Sequence, residues 1–198
     1  MSNVGQGTEQ ARAATKRKAI LDAANRLMLA EGLRRVTHRQ VAAAAGVPVG
    51  SIGYYYSSRE KLIEVCFAEF HARRVELAHE RIEAAQAAGT GPRDPETVAE
   101  DILDIATAGQ RDALGGLIFA IVDASREQDA EGRERVTGQF TESIDLIGEL
   151  LAASGYATVP ARTVAEAVLG SAIIGAQLGE DPRETAQAAL LSILDPAA

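Results

Sequence analysis

Few side chains in this sequence can do bond chemistry. There are three histidines, His38, His71 and His79, and one cysteine, Cys66. His71 and His79 would share a helix face, but two turns apart, too far to hold one metal ion. No HExxH pair, CxxC pair, phosphate-cradling glycine loop or GxSxG elbow occurs. The residues therefore predict no catalytic set, no metal and no cofactor, and the chain reads as a protein that is not an enzyme. Its chemistry is suited instead to holding a polyanion. Residues 1–62 carry ten Lys and Arg against four acids, a net +6, which leaves −14 for the remainder of a chain whose total is −8. A basic head on an acidic body directs a polyanionic partner to the head alone. Clustering on solvated faces would give the same split, so the charge has to be weighed together with the local motif. Three consecutive tyrosines, Tyr54 to Tyr56, lie near the end of the basic stretch. A tyrosine offers its hydroxyl to a phosphate and its ring to a thymine methyl.

The elements that would position these residues read as helices. Ile20, Leu21, Ala24, Leu27 and Met28 recur at helical spacing and Gly32 follows as a stop. Thr37 offers an N-cap for residues 39–45, and Gly46 breaks that helix. A short helix over 48–55 has Pro48 in its first turn. Ser57 and Glu60 form a capping box that opens a long helix carrying Leu62, Cys66, Phe70 and Leu77 on one face. After a loop at Ala88–Pro95, helices are expected near 96–108, 110–128, 133–153, 160–179 and 182–194, with a break at 129–132. No alternating strand pattern occurs, so the fold class is all-α, with about nine helices. Residues 1–14 are polar and rich in Gly, Gln and Ala, and read as a disordered leader without the apolar stretch of a signal peptide. No apolar run reaches the roughly 18–20 residues of a membrane span. With a single cysteine, the composition predicts a cytoplasmic protein with no membrane partner.

The stretch from Thr37 to Tyr56 has the parts of a helix-turn-helix. Two short helices meet at a tight glycine turn, and small alanines let them cross closely. Its signals run in a fixed order: Glu31-Gly32, Thr37, Val41-Ala42, Ala45-Gly46-Val47, Gly50-Ser51-Ile52, Tyr54-Tyr55-Tyr56 and Ser58-Arg59-Glu60-Lys61-Leu62. From Lys18 to Phe70 this pattern resembles the N-terminal domain of the tetracycline-repressor (TetR) family. The resemblance implies a head at 15–62 that binds a double-stranded DNA operator, and a helical-bundle body at 63–198 for ligand binding and dimerisation.

On that resemblance, Thr37 holds a phosphate through its N–H or hydroxyl, with His38 and Arg39 near the DNA backbone. Val49, Gly50 and Ser51 open the recognition helix. Gly50 permits close approach, and Ser51 bonds a base edge or phosphate. Tyr54 and Tyr55 contact DNA, while Tyr56 is core. Arg59 is placed for a phosphate, and Lys16, Arg17 and Lys18 form a flexible arm. Two positions depart from the pattern: Val49 stands where the family often has Lys, and Gly53 where it usually has Tyr. The recognition helix is thus less charged and softer than the family pattern.

The body is read less sharply. The run 114–122 is the most apolar stretch. With Phe67, Phe70, Phe119 and Phe140 it would line an apolar cavity for a small-molecule effector, and His71, Asp123 and Arg126 would be its polar groups. Val164, Val168, Ser171, Gly175 and Leu178 share a face, with Ile174 beside it. Ala186, Leu190, Ile193 and Leu194 share another. These two faces would form half of a four-helix bundle across a homodimer axis; ordinary intrachain core is the alternative. The expected function is a ligand-responsive repressor released by an apolar or amphipathic effector. The alternative is a structural or constitutive DNA-binding regulator that takes no ligand.

Overall fold

The computed structural model describes residues 4–89, 91–127 and 130–195. Among these residues there are nine α-helices and no strand. The chain divides into two compact units, a head ending at Ala68 and a body beginning at Glu69.

The head contains α1 (Val4–Glu31), α2 (His38–Ala45), α3 (Val49–Tyr55) and the first turns of α4 (Arg59–Ala87). Helix α1 reaches back to Val4 and takes in residues 4–14, which composition alone marks as a disordered leader. The run Gln10-Ala11-Arg12-Ala13-Ala14 is made of good helix formers, and it extends a helix that is already anchored downstream. Residues 1–3 of that leader lie outside the described residues. The anchor is the buried stripe Ile20, Ala24 and Met28, which packs with Val41, Ile52, Tyr56 and Leu62 in the head's core. Full burial of a side chain such as Ile52 contributes roughly 1.5–3 kcal/mol.

Local chemistry sets the boundaries. Gly32 turns the chain at φ 78°, and a single 3-10 turn, Leu33–Arg35, follows. Thr37 caps α2, its hydroxyl accepting from the Gln40 N–H at 3.2 Å. Gly46, at φ 66°, closes α2: the Val47 N–H reaches the Ala42 carbonyl at 3.0 Å, the six-to-one bond of a Schellman stop. Pro48 is the N-cap of α3 and stands just outside its first turn. The cap of α4 is one residue later than the sequence predicts. Ser58, not Ser57, bonds the Lys61 N–H at 3.1 Å. The Glu60 carboxyl is held below the ordinary carboxylate range, first by its own backbone N–H and then by Ser58.

The body contains the rest of α4 with α5 (Pro95–Ala106), α6 (Leu114–Glu127), α7 (Ala130–Ala153), α8 (Ala161–Leu178) and α9 (Pro182–Leu194). Its core gathers Leu77 and Ile82 of α4, Ile102 and Ile105 of α5, Leu114 and Ile118 of α6, Leu150 of α7, Val164 and Val168 of α8, and Leu190 of α9. Of the predicted break at 129–132, Asp129 lies outside the described residues; α7 begins at Ala130.

Candidate nucleic-acid interface and body cavity

Helix α3 has seven residues and two clear sides. Ile52, with the C-cap Tyr56, is buried. Val49 is 51% exposed and Tyr54 84% exposed, while Gly50 and Gly53 also lie on the surface. The Tyr54 and Tyr55 rings meet edge to face at 5.0 Å, which restrains both on the outer side. A side chain at Gly50 or Gly53 would meet nothing within 4 Å. The protein's own packing therefore requires neither glycine. What Gly50 keeps clear is space outside the protein.

The other predicted contacts divide. Arg39 and the basic residues Lys16, Arg17 and Lys18 are exposed. These last three sit on α1 rather than on a flexible arm, and Lys18 pairs with Asp22 at 2.9 Å one turn on. Ser51 is half-buried at the start of α3. Thr37 does not offer its N–H outward, because that N–H already donates to the Arg35 carbonyl at 2.9 Å. The His38 Nε2 is buried and has no hydrogen-bond partner. Arg59 is engaged within the head. Its Nε donates to the Val36 carbonyl at 2.9 Å and its Nη2 to the Leu33 carbonyl at 2.7 Å. Carbonyls around a short 3-10 turn lack a full set of helical donors, and a guanidinium at the start of α4 supplies them. Arg59 therefore holds the segment leading into α2.

In the body, a cavity of about 40 Å³ lies among α4 to α8. Ile102, Ile105, Leu114, Leu117, Ile121, Phe140, Ile147 and Val168 give it an apolar wall, with Arg74 and Ser143 as its polar members. Of the residues expected around an effector, Phe140 lines it, as do Leu114, Leu117 and Ile121 of the 114–122 run. The register of α6 explains the rest: Leu114, Leu117 and Ile121 face inward, so Phe119, at 54% exposure, and Asp123 lie on other faces, and Arg126 is exposed. His71 Nε2 lies 2.9 Å from Glu142 Oε2. Phe67 is buried in the head, and Phe70 is buried with its ring 5.0 Å from the Arg74 guanidinium carbon. Arg74 was not legible as a site residue, because an arginine within the sequence Ala-Arg-Arg-Val reads as a solvated helix face.

Arg74 is buried, and burial pushes its pKa down to about 10, so it remains charged at neutral pH. Nη1 donates to Ser143 Oγ at 2.8 Å and Nη2 to the Ala106 carbonyl at 3.2 Å. Its Nε is buried without a hydrogen-bond partner. Other half-buried arginines of the body have carboxylates. Arg183 meets Glu100 and Asp104 at 2.9 Å each, and Arg93 meets Asp101 at 2.9 Å.

The faces expected to form a dimer mostly point inward. Val164, Val168, Ala186, Leu190 and Leu194 are in the body's core. Gly175 is buried where α8 meets α9; a Cβ there would collide with Thr185 Oγ1. Ser171 bonds back to the Ala167 carbonyl, and Ile193 packs partly on the core. One stripe of side chains cannot both fill a single chain's core and cover a partner. Ile174, at 61%, and Leu178, at 68%, are exposed, as are Ile173, Phe119 and Val122.

An exposed short helix held by a glycine turn on a capped partner helix defines a helix-turn-helix DNA-binding protein. Residues 20–66 match the family model of bacterial regulatory proteins, tetR family. The head thus matches the DNA-binding region of the TetR family, which makes the chain similar to transcriptional regulators of that family. A search of curated proteins by sequence found no match. Among solved structures, the transcriptional regulator SCO7518 from Streptomyces coelicolor A3(2) is 26% identical. That match covers 91% of this chain and 98% of that one, with a TM-score of 0.57. The multidrug binding protein EbrR, complexed with ethidium, is also 26% identical over 90% and 97% of the two chains, with a TM-score of 0.56. The regulator FadR from Bacillus subtilis, in complex with stearoyl-CoA, shares the fold at 15% identity over 92% and 100% of the two chains, with a TM-score of 0.61. Among the described residues no three His, Cys, Asp or Glu side chains gather as a metal site. No single described helix is long and apolar enough to cross a membrane.

Proposed function

We propose that the protein is a cytoplasmic repressor that binds a palindromic operator as a homodimer and is released when a small apolar or amphipathic effector enters the body. The observation that carries the reading is the two-sidedness of α3. Ile52 and Tyr56 lock it inward, while Val49, Gly50, Tyr54 and Tyr55 present backbone, rings and hydroxyls outward. Exposed Arg39 and the basic stretch on α1 add the charge that phosphates need. A dimer would place two such helices in successive major grooves about 34–36 Å apart. Among the described residues, the large apolar side chains exposed on the body lie on α6 and α8, at Phe119, Val122, Ile173, Ile174 and Leu178, and these are the surface for the second copy. The effector reading rests on the apolar cavity and on the likeness to EbrR, whose structure holds ethidium. Helix α4 would carry the signal, since its first turns belong to the head and its Arg74 and Leu77 to the body. The effector must prefer the state that grips DNA poorly.

The test is selection of bound DNA from a random pool. Binding to the selected site is then measured with and without compounds that raise the protein's melting temperature. Two half-sites and an affinity that falls with a bound compound are expected. Asymmetric single sites would remove the homodimeric operator reading. The small cavity favours a second reading, a constitutive regulator: about 40 Å³ is far below the roughly 300–1,000 Å³ of a drug-sized pocket. Operator affinity indifferent to every bound compound would select it.

A further inference from the structure

We infer that the body takes an organic monocarboxylate, an acid whose carboxylate pairs with Arg74 and whose apolar part lies along Leu117, Ile121, Phe140 and Val168. The inference rests on the reading of the body as an effector-binding domain, and it names the effector's class.

The argument starts from charge. A buried guanidinium without a counter-ion is costly, and proteins ordinarily pair it. This body follows that rule at Arg93 and Arg183, each with a carboxylate at 2.9 Å. Arg74 departs from it. It is buried, has two neutral oxygens and the Phe70 ring as its partners, and leaves its Nε without a hydrogen bond. Among the described residues it is also the only ionisable side chain lining the cavity. The edge of the guanidinium that includes Nε is one of the edges that can take a carboxylate with two parallel bonds. Ser143, whose hydroxyl donates to the Gln139 carbonyl, stays beside it to orient the fork.

The wall sets the rest of the ligand. One guanidinium balances one negative charge; a phosphate monoester would bring a second charge against Ile105, Leu114 and Val168 with nothing to meet it. The remainder must be apolar, because among the described residues no other charged group lines the space. About 40 Å³ holds roughly three water molecules, so the acid must displace wall side chains as it enters. Ile121, Phe140, Ile144 and Leu169 are half-buried and form the side that can give.

The experiment measures binding of matched probes to the full-length chain by calorimetry: octanoate, octanol and octylamine, then benzoate and benzyl alcohol. Each acid is expected to bind at least about ten-fold more tightly than its alcohol, the amine least. In Arg74→Gln the acid should lose that preference while the alcohol keeps its affinity; Arg74→Lys should restore part of it. A second measurement uses the wild-type protein alone, and stands if Arg74→Gln fails to fold. From pH 7 to pH 5, octanoate affinity should hold or fall, because the ionised form is the one bound. An affinity that rises as the acid protonates would overturn the inference, as would alcohols that match the acids or an acid preference kept in Arg74→Gln. If alcohols bind and release the operator without an acid preference, the inference falls and the effector reading stands. If no probe binds at millimolar concentration, the inference falls, and the operator measurement then decides the effector reading separately.

Discussion

At the scale of single residues, Arg59 and Gly50 separate stability from recognition. Arg59 bonds the carbonyls of Leu33 and Val36. Hydrogen bonds from a charged donor contribute roughly 1.5–3 kcal/mol, so Arg59→Ala should lower the head's stability by about that amount. Its DNA affinity should fall only as far as unfolding explains, and should recover on cooling. Chemical denaturation beside a binding titration checks this; a lost affinity with unchanged stability would restore Arg59 as a phosphate ligand. Gly50→Ala should move the two quantities in opposite directions. A methyl group there meets nothing in the protein, and Ala is a better helix former by about 1 kcal/mol. The head should therefore melt higher while operator binding weakens several-fold. The types and spacing of the head's residues made its motif legible. The partner of Arg59 was not, because a contact across 23 residues leaves no mark in local sequence.

At the scale of elements, caps and glycines fix where helices stop, and most of this could be read directly. Gly46 and Thr37 bound α2 as their chemistry requires. Asp94 and Pro95 do the same for α5, and Asp181 and Pro182 for α9. Asp94 accepts from the Thr97 N–H at 2.9 Å and from its hydroxyl at 2.8 Å, which holds its carboxyl below the usual value of 3.8. A carboxyl lowered in the folded state stabilises above its unfolded pKa and loses that contribution as pH falls through the folded one. The stability gap between wild type and Asp94→Ala should therefore be full at neutral pH and shrink below about pH 4, as thermal melts across that range would show. Gly155 lies at φ 88°, and a Cβ there would come within 2.7 Å of the Pro92 backbone. Tyr156 and Ser154 tie the same segment down through the backbone of Arg93. Gly155→Ala should destabilise the body by about 2 kcal/mol or more, a fall in melting temperature of several degrees; an unchanged melt would mean that the segment around Pro92 yields freely. Helix periodicity could place α8 and α9, but could not say which stripe faces inward, since both their stripes are apolar.

At the scale of the whole molecule, the division of charge agrees with the division into units: the basic residues gather in the head, and the acids dominate the body. The body's function was the least legible part. Phe119 and Phe140 are both aromatic residues on helices of the body, yet one is exposed and the other lines the cavity, a difference set by packing. The exposed pair Ile174 and Leu178 carries the dimer prediction. Ile174→Asp should shift the protein to a monomer in sedimentation equilibrium and reduce operator affinity, with the helical content of each chain unchanged; a dimer that persists would move the interface off α8. Gly53 has a consequence of another kind. It sits on the outward side of α3 in empty space, and the fold asks nothing of it. Substitutions there are unconstrained by foldability, so that position is where new operator preferences can be acquired, in evolution or by a randomised library, without first rebuilding the scaffold that presents them.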